Sequence, residues 1–201
     1  MVILFYLLLL VFAYVVGSIP FAVIITKLKG TDIRNIGSKN PGAANVTGHV
    51  GKIYGVLVFF LDASKAAIPV FITYKYYNFP DWFIVLFSIM FIIGHDWSLF
   101  LEFNGGKGVS TSLGIAIVLF PIGYLIVFPF IVLISIIRKE TNFASFLWFL
   151  LSPFVTYFYY GNCMFIVLSS LIFVVYIIRR VTYVEKYTLK NVISRIIFDH
   201  D

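Results

Sequence analysis

Asp32 to Thr47 reads D-I-R-N-I-G-S-K-N-P-G-A-A-N-V-T, a polar, glycine-bearing island in a chain that is otherwise almost continuously apolar. Backbone inside or beside a bilayer must find its hydrogen-bond partners within the protein or in water, so such an island needs a water-lined pocket or a polar ligand. The composition around it makes the bilayer the relevant solvent. The 201 residues are 61% hydrophobic and 19% aromatic, with a mean hydropathy of +1.01, which leaves too little polar surface to cover a water-soluble globule. At ~20 apolar residues per helical crossing, the length admits about six or seven spans. The expectation is an all-α integral membrane protein, one membrane-embedded domain over residues 1–201.

Upstream of the island, span one is expected over 1–25, bent at Gly17-Ser18-Ile19-Pro20, where proline removes a backbone donor. The apolar start has no basic leader and no small-residue cleavage site, so it reads as a retained span and not a signal peptide. Downstream, spans two and three are placed at about 53–74 and 82–93. Span three runs into a second polar island, G-H-D-W-S-L-F-L-E-F-N-G-G-K-G-V-S-T, from Gly94 to Thr111. Spans four to seven follow at about 109–120, 122–137, 143–160 and 164–178, the first two of which also read as a single helix kinked at Pro129, before a basic tail from Arg179.

Alternating the loops puts Lys27, Lys29, Arg34, Lys39, Lys52, Lys107, Arg138, Lys139 and the tail on one face, with Lys75 opposite. By the positive-inside rule that face is cytoplasmic. A seven-helix bundle with its N-terminus outside and C-terminus cytoplasmic follows, in the cell (inner) membrane, with both islands on the cytoplasmic side. The net charge of +6 is thereby explained by topology and needs no nucleic acid. Cys163 is the single cysteine, so no intramolecular disulfide forms, and no metal-ligand spacing occurs. Neither metal nor cofactor is expected.

The islands suit an anion. In the first, small residues leave backbone N–H groups uncovered while Arg34, Lys39, Asn40 and Asn45 supply donors around Gly42, the physics of an anion nest. In the second, Gly105, Gly106, Lys107 and Gly108 precede an apolar helix that carries Thr111; bare amides at a helix start plus a lysine fit a phosphate, although the spacing is not that of a P-loop, and the other reading of both clusters is glycines that merely permit tight turns. His95 could serve as acid, base or helix cap. Ser38 is read as a hydroxyl donor, because no order of serine, histidine and aspartate supports a covalent serine. Asp96 and Glu102 are expected to be solvated charges, and the aromatics at 157–160 an interfacial belt. Asp62 and Lys65, three apart inside span two, are expected to face the interior and each other.

At these residues the chain resembles the bacterial acyl-phosphate:glycerol-3-phosphate acyltransferase family, the PlsY type. The matching segments are G-S-I-P-F-A at 17–22, D-I-R-N-I-G-S-K-N-P-G-A-A-N at 32–45, L-D-A-S-K-A at 61–66, and G-H with F-N-G-G-K-G-V-S-T within 94–111. The resemblance implies a seven-span enzyme that takes acyl phosphate and glycerol 3-phosphate at the membrane lipid surface and releases lysophosphatidic acid and phosphate. Carried onto this chain, it makes Ser38, Asn45 and Asn191 the catalytic set. It implies that Gly105, Gly106, Lys107 and Gly108 hold a phosphate beside Arg34, and with the reading of the islands above the expected substrate-binding set is Arg34, Lys39, Asn40, Gly42, His95, Gly105, Gly106, Lys107, Gly108 and Thr111. Two departures stand out: Gly48 occupies the place of an arginine in the first motif, and the tail segment Thr188-Leu189-Lys190-Asn191 lacks a histidine. They leave open a catalytically impaired paralogue that still binds acyl phosphate or a lipid phosphate, and the charges of Asp62 and Lys65 within a span motivate a third reading, a small transporter of a phosphorylated solute.

Overall fold

In the computed structural model of the protein, residues 1–122, 126, 129, 133 and 141–182 are described. Most of span five, the charged connection at 138–140, Thr188 and Asn191 lie outside these residues. The described elements are helical, in two compact units, Met1–Val118 and Leu119–Asp201.

The first unit begins with α1 (Val2–Gly17) and α2 (Phe21–Lys27), separated by the expected break at Gly17 to Pro20. A turn of 3-10 helix at Ile33–Asn35 and the short α3 (Ala43–His49) shape the first island. Helix α4 (Lys52–Tyr76) leaves the island and α5 (Asp81–Asp96) returns to the same end. Asp81 in the first turn of α5 complements the positive helix start. A second 3-10 turn, Leu99–Leu101, and α6 (Val109–Leu119) complete the unit. The second unit contains α7 (Thr141–Tyr160) and α8 (Cys163–Thr182), an antiparallel hairpin closed by a Thr156–Ser169 hydroxyl bond of 2.9 Å and by Phe149 against Tyr176, ring centroids 4.3 Å apart. Arg179 and Arg180, expected to open the tail, form instead the last turn of α8 and are buried.

Five described segments are long and apolar enough to cross a bilayer: Val2–Lys27, Lys52–Tyr76, Asp81–Leu101, Phe143–Tyr160 and Cys163–Thr182. Helix α6 is apolar but shorter than these.

Close helix approach in the first unit depends on glycine. A Cβ at Gly17 would collide with the Phe91 backbone, and one at Gly94 with the Tyr14 carbonyl, so α1 and α5 meet backbone to backbone. Small residues are the usual means of association where lipid removes the hydrophobic drive between helices. Tyr14 then reaches over to donate to the Trp97 carbonyl at 2.8 Å, and Ser98 Oγ donates to the Ser18 carbonyl at 2.6 Å. These bonds lock the break in span one to the end of α5, where the second island starts.

Candidate active site

The two islands meet on one buried apolar cluster. Ile33 and Val46 of the first island and Leu101 of the second pack with Ala22, Val23, Ile25 and Val58. Their charges meet as well. The Arg34 side chain donates to both oxygens of Asp32, the closest contact being 2.6 Å, and this hydrogen bonding holds the Asp32 carboxyl down at about 2. Asp32, and then Glu102 from the second island, raise Arg34 above its ordinary value. The guanidinium expected to face a ligand is therefore already compensated by carboxylates.

Asn45 organises the first island. Its amide nitrogen donates to the carbonyls of Ile36 at 2.9 Å, Asn40 at 3.1 Å and Ile33 at 3.3 Å, while its oxygen accepts from the Ser38 N–H at 3.3 Å. One buried carboxamide thus closes the turn that presents Ser38, with both of its polar atoms engaged inside the loop. The Ser38 hydroxyl makes no hydrogen bond to a described residue and is half-buried. Lys39 beside it is exposed and sits at φ +58°, a left-handed conformation that costs a non-glycine residue about 1 kcal/mol. Gly37, also at φ +58°, is required for a second reason: a Cβ there would strike Asn45 Oδ1 and His49 Cε1.

His49 is a residue the sequence reading missed. Its Nδ1 donates to the Asn45 carbonyl at 3.2 Å and its ring lies over Gly37. The signal was the four-residue step from Asn45, which puts both on one helix face. Gly48 next to it has nothing within 4 Å of its Cβ position.

The second island differs from expectation in two ways. Gly105 and Gly106 do not offer bare amides: their N–H groups donate to the carbonyls of Asp96 at 3.1 Å and His95 at 3.0 Å, capping the open end of α5. Asp96 is not a solvated charge but is fully buried, its carboxylate lying beneath Gly108, where a Cβ would come within 2.8 Å of Oδ1. Gly108 itself adopts φ +66°. Lys107, between these glycines in sequence, is half-buried, and Glu102 remains exposed. Asn40 Oδ1 and Thr111 Oγ1, both from the expected binding set, are buried without a partner among the described residues. Such atoms are costly unless a water or ligand meets them. Gly42 caps α3 in an extended conformation, with the Asn40 amide 2.9 Å from its Cβ position.

Asp62 and Lys65 pair as expected, at 2.7 Å and almost fully buried. The pair does not stand alone. Lys65 Nζ also lies 3.0 Å from the Ile19 carbonyl and 2.9 Å from His95 Nδ1. His95 thus faces the ion pair on one side and Gly106 on the other, where a Cβ would overlap its Nε2. Among the described residues no cluster of three metal-ligating side chains occurs.

Residues 7–190 match the family model described as glycerol-3-phosphate acyltransferase. The chain is 43% identical over 139 residues to the glycerol-3-phosphate acyltransferase of Aquifex aeolicus (strain VF5), covering 68% of this chain and 71% of that one. It is 36% identical over 178 residues to the enzyme of the same name from Fusobacterium nucleatum subsp. nucleatum, covering 88% and 91%. The crystal structure of PlsY, an integral membrane glycerol 3-phosphate acyltransferase, in its glycerol 3-phosphate form superposes with a TM-score of 0.82 at 33% identity, covering 94% of this chain and 98% of that one. The lysophosphatidic acid form superposes equally well.

Proposed function

This chain belongs to the glycerol-3-phosphate acyltransferase family, and from that premise we propose that it moves a fatty acyl group from acyl phosphate to the 1-hydroxyl of glycerol 3-phosphate. It is an integral membrane acyltransferase of phospholipid synthesis. The observation that supports the finer reading is the packing of Ile33 and Val46 of the first island and Leu101 of the second in one apolar cluster, so that the two loops bearing Ser38, Lys39 and Lys107 share one core.

In this reading the acceptor hydroxyl attacks the acyl carbonyl, the carbonyl–phosphate bond breaks, and phosphate leaves with the electron pair and takes up the proton that the hydroxyl gives up. The mixed anhydride supplies the leaving group, so the protein has mainly to position and to stabilise charge. Ser38 donates a hydrogen bond to a reacting oxygen. Lys107 and Lys39 compensate phosphate charge, and Asn40 and Thr111 offer further polar contacts. Asn45 acts through the loop: it holds Ser38 in place. Arg34, paired with Asp32, tunes the field without direct contact. Gly42, Gly105, Gly106 and Gly108 let the backbone take the required turns, and Asn191 completes the catalytic set. The whole chain works as one domain of seven spans, its N-terminus outside and its site at the cytoplasmic face of the inner membrane.

The transporter alternative loses its motive, since Asp62 and Lys65 satisfy each other and their neighbours. The deciding experiment gives purified protein acyl phosphate with and without glycerol 3-phosphate. Acceptor-dependent phosphate release supports the proposal; binding without release points to the impaired paralogue and overturns it.

A further inference from the structure

The buried charges in α4 are expensive in a membrane, yet the proposed chemistry does not use them directly. Asp62, Lys65 and His95 are 1%, 7% and 8% exposed. An ammonium has three N–H bonds and no lone pair. Here the three acceptors are Asp62 Oδ1 at 2.7 Å, His95 Nδ1 at 2.9 Å and the Ile19 carbonyl at 3.0 Å. His95 Nδ1 lies 3.5 Å from Asp62 Oδ1, too far for a firm bond of its own. With Lys65 donating, Nδ1 must accept, and the ring proton resides on Nε2, the atom that abuts Gly106.

Lys65 therefore touches the three places from which the site is built. Ile19 is in the break that leads into the first island, Asp62 is one turn away in α4, and His95 closes α5 at the root of the second. The His95 carbonyl also receives the Gly106 N–H.

We infer that Lys65 is a positioning residue for the proposed acyl transfer: its triple hydrogen bond holds His95 as the neutral Nε2–H tautomer against Gly106 and so sets the turn that carries Lys107. The inference rests on the acyltransferase reading for its kinetic consequence, but the tautomer stands independently of it. Its ligand-facing effect is on glycerol 3-phosphate binding, through Lys107, and not on the bond-making step.

Two measurements test it. Replacing Lys65 alone leaves Asp62 uncompensated in the core, so the informative variant is Asp62→Leu/Lys65→Met, which removes both charges and keeps apolar volume. Such exchanges are often neutral or stabilising, and a merely structural ion pair predicts unchanged kinetics. The positioning role predicts instead a folded protein, by its melting temperature, whose KM for glycerol 3-phosphate rises on the order of tenfold or more with kcat much less affected. The second measurement is the ¹⁵N spectrum of histidine-labelled wild type in detergent, with the His95 signals identified by their loss in His95→Gln. An unprotonated Nδ1 and a protonated Nε2, lost or mixed in the double variant, support the inference. A protonated Nδ1 in the wild type, or a folded double variant with unaltered KM, overturns it. Should the wild type release no phosphate on adding acceptor, the functional reading falls, while the spectrum, which needs no substrate, still decides the tautomer.

Discussion

Gly37→Ala is the most direct probe of the first island. Two costs add. At φ +58° an alanine loses about 1 kcal/mol relative to glycine. Its Cβ would also overlap Asn45 Oδ1 and His49 Cε1 by roughly 1 Å against ordinary contact distance. His49 is exposed and can swing aside, giving up its bond to the Asn45 carbonyl. Asn45 cannot do so cheaply, since its carboxamide is buried and holds Ile33, Ile36, Ser38 and Asn40 together. Shifting it breaks the Ser38 bond first and leaves a buried polar group unsatisfied, at about 1–3 kcal/mol. The total, roughly 2–4 kcal/mol, is less than a typical domain stability of about 5–15 kcal/mol, so the protein still folds. Its damage is local: Ser38 moves on the order of 1 Å, enough to lower kcat/KM about 10²-fold. Acceptor-dependent phosphate release, measured beside a thermal melt, reads both quantities. A folded Gly37→Ala protein with unchanged kcat/KM would refute the idea that the Asn45-closed turn positions Ser38.

Other substitutions separate the remaining roles. Lys107→Ala should raise KM for glycerol 3-phosphate by about tenfold or more, the size of one lost charge-assisted hydrogen bond; steady-state kinetics check this. Gly48→Arg restores a cation in space that the fold leaves open, and kcat should rise; no change would mean that Lys39 or His49 already serves there. Asp32→Asn tests the ion pair with Arg34. Because the folded carboxyl titrates at about 2 against an ordinary 3.8, the unfolded chain takes up the proton first as pH falls. The pair's contribution is therefore complete above the unfolded value and disappears as pH drops through the folded one. Wild type should melt higher than Asp32→Asn at neutral pH, and the two melting temperatures should converge at the acid end of that window.

Much of the architecture was legible because it follows from local rules. Apolar runs long enough to cross a bilayer, proline at position 20 and the Gly161-Asn162 turn mark where helices start, break and stop, and the parity of spans places both islands at one end. Asp62 and Lys65 were paired correctly because a three-residue step on a helix makes them neighbours. Burial of Asp96 was missed because a residue at the end of a helix can point into a loop or back under it, and only the glycine at 108 leaves room for the latter.

By itself, then, the amino-acid order determined a helical membrane protein with two polar loops on a common side, since bilayer thickness and backbone satisfaction allow little else. Only the tertiary structure decided that the glycine amides at 105 and 106 are consumed by the end of α5, that Asn45 is a loop clasp, and that Lys65 joins Ile19 and His95. Those partners lie 46 and 30 residues away along the chain. Which distant carbonyl or ring nitrogen meets a given donor depends on how the helices pack, and no local pattern of residue types encodes it.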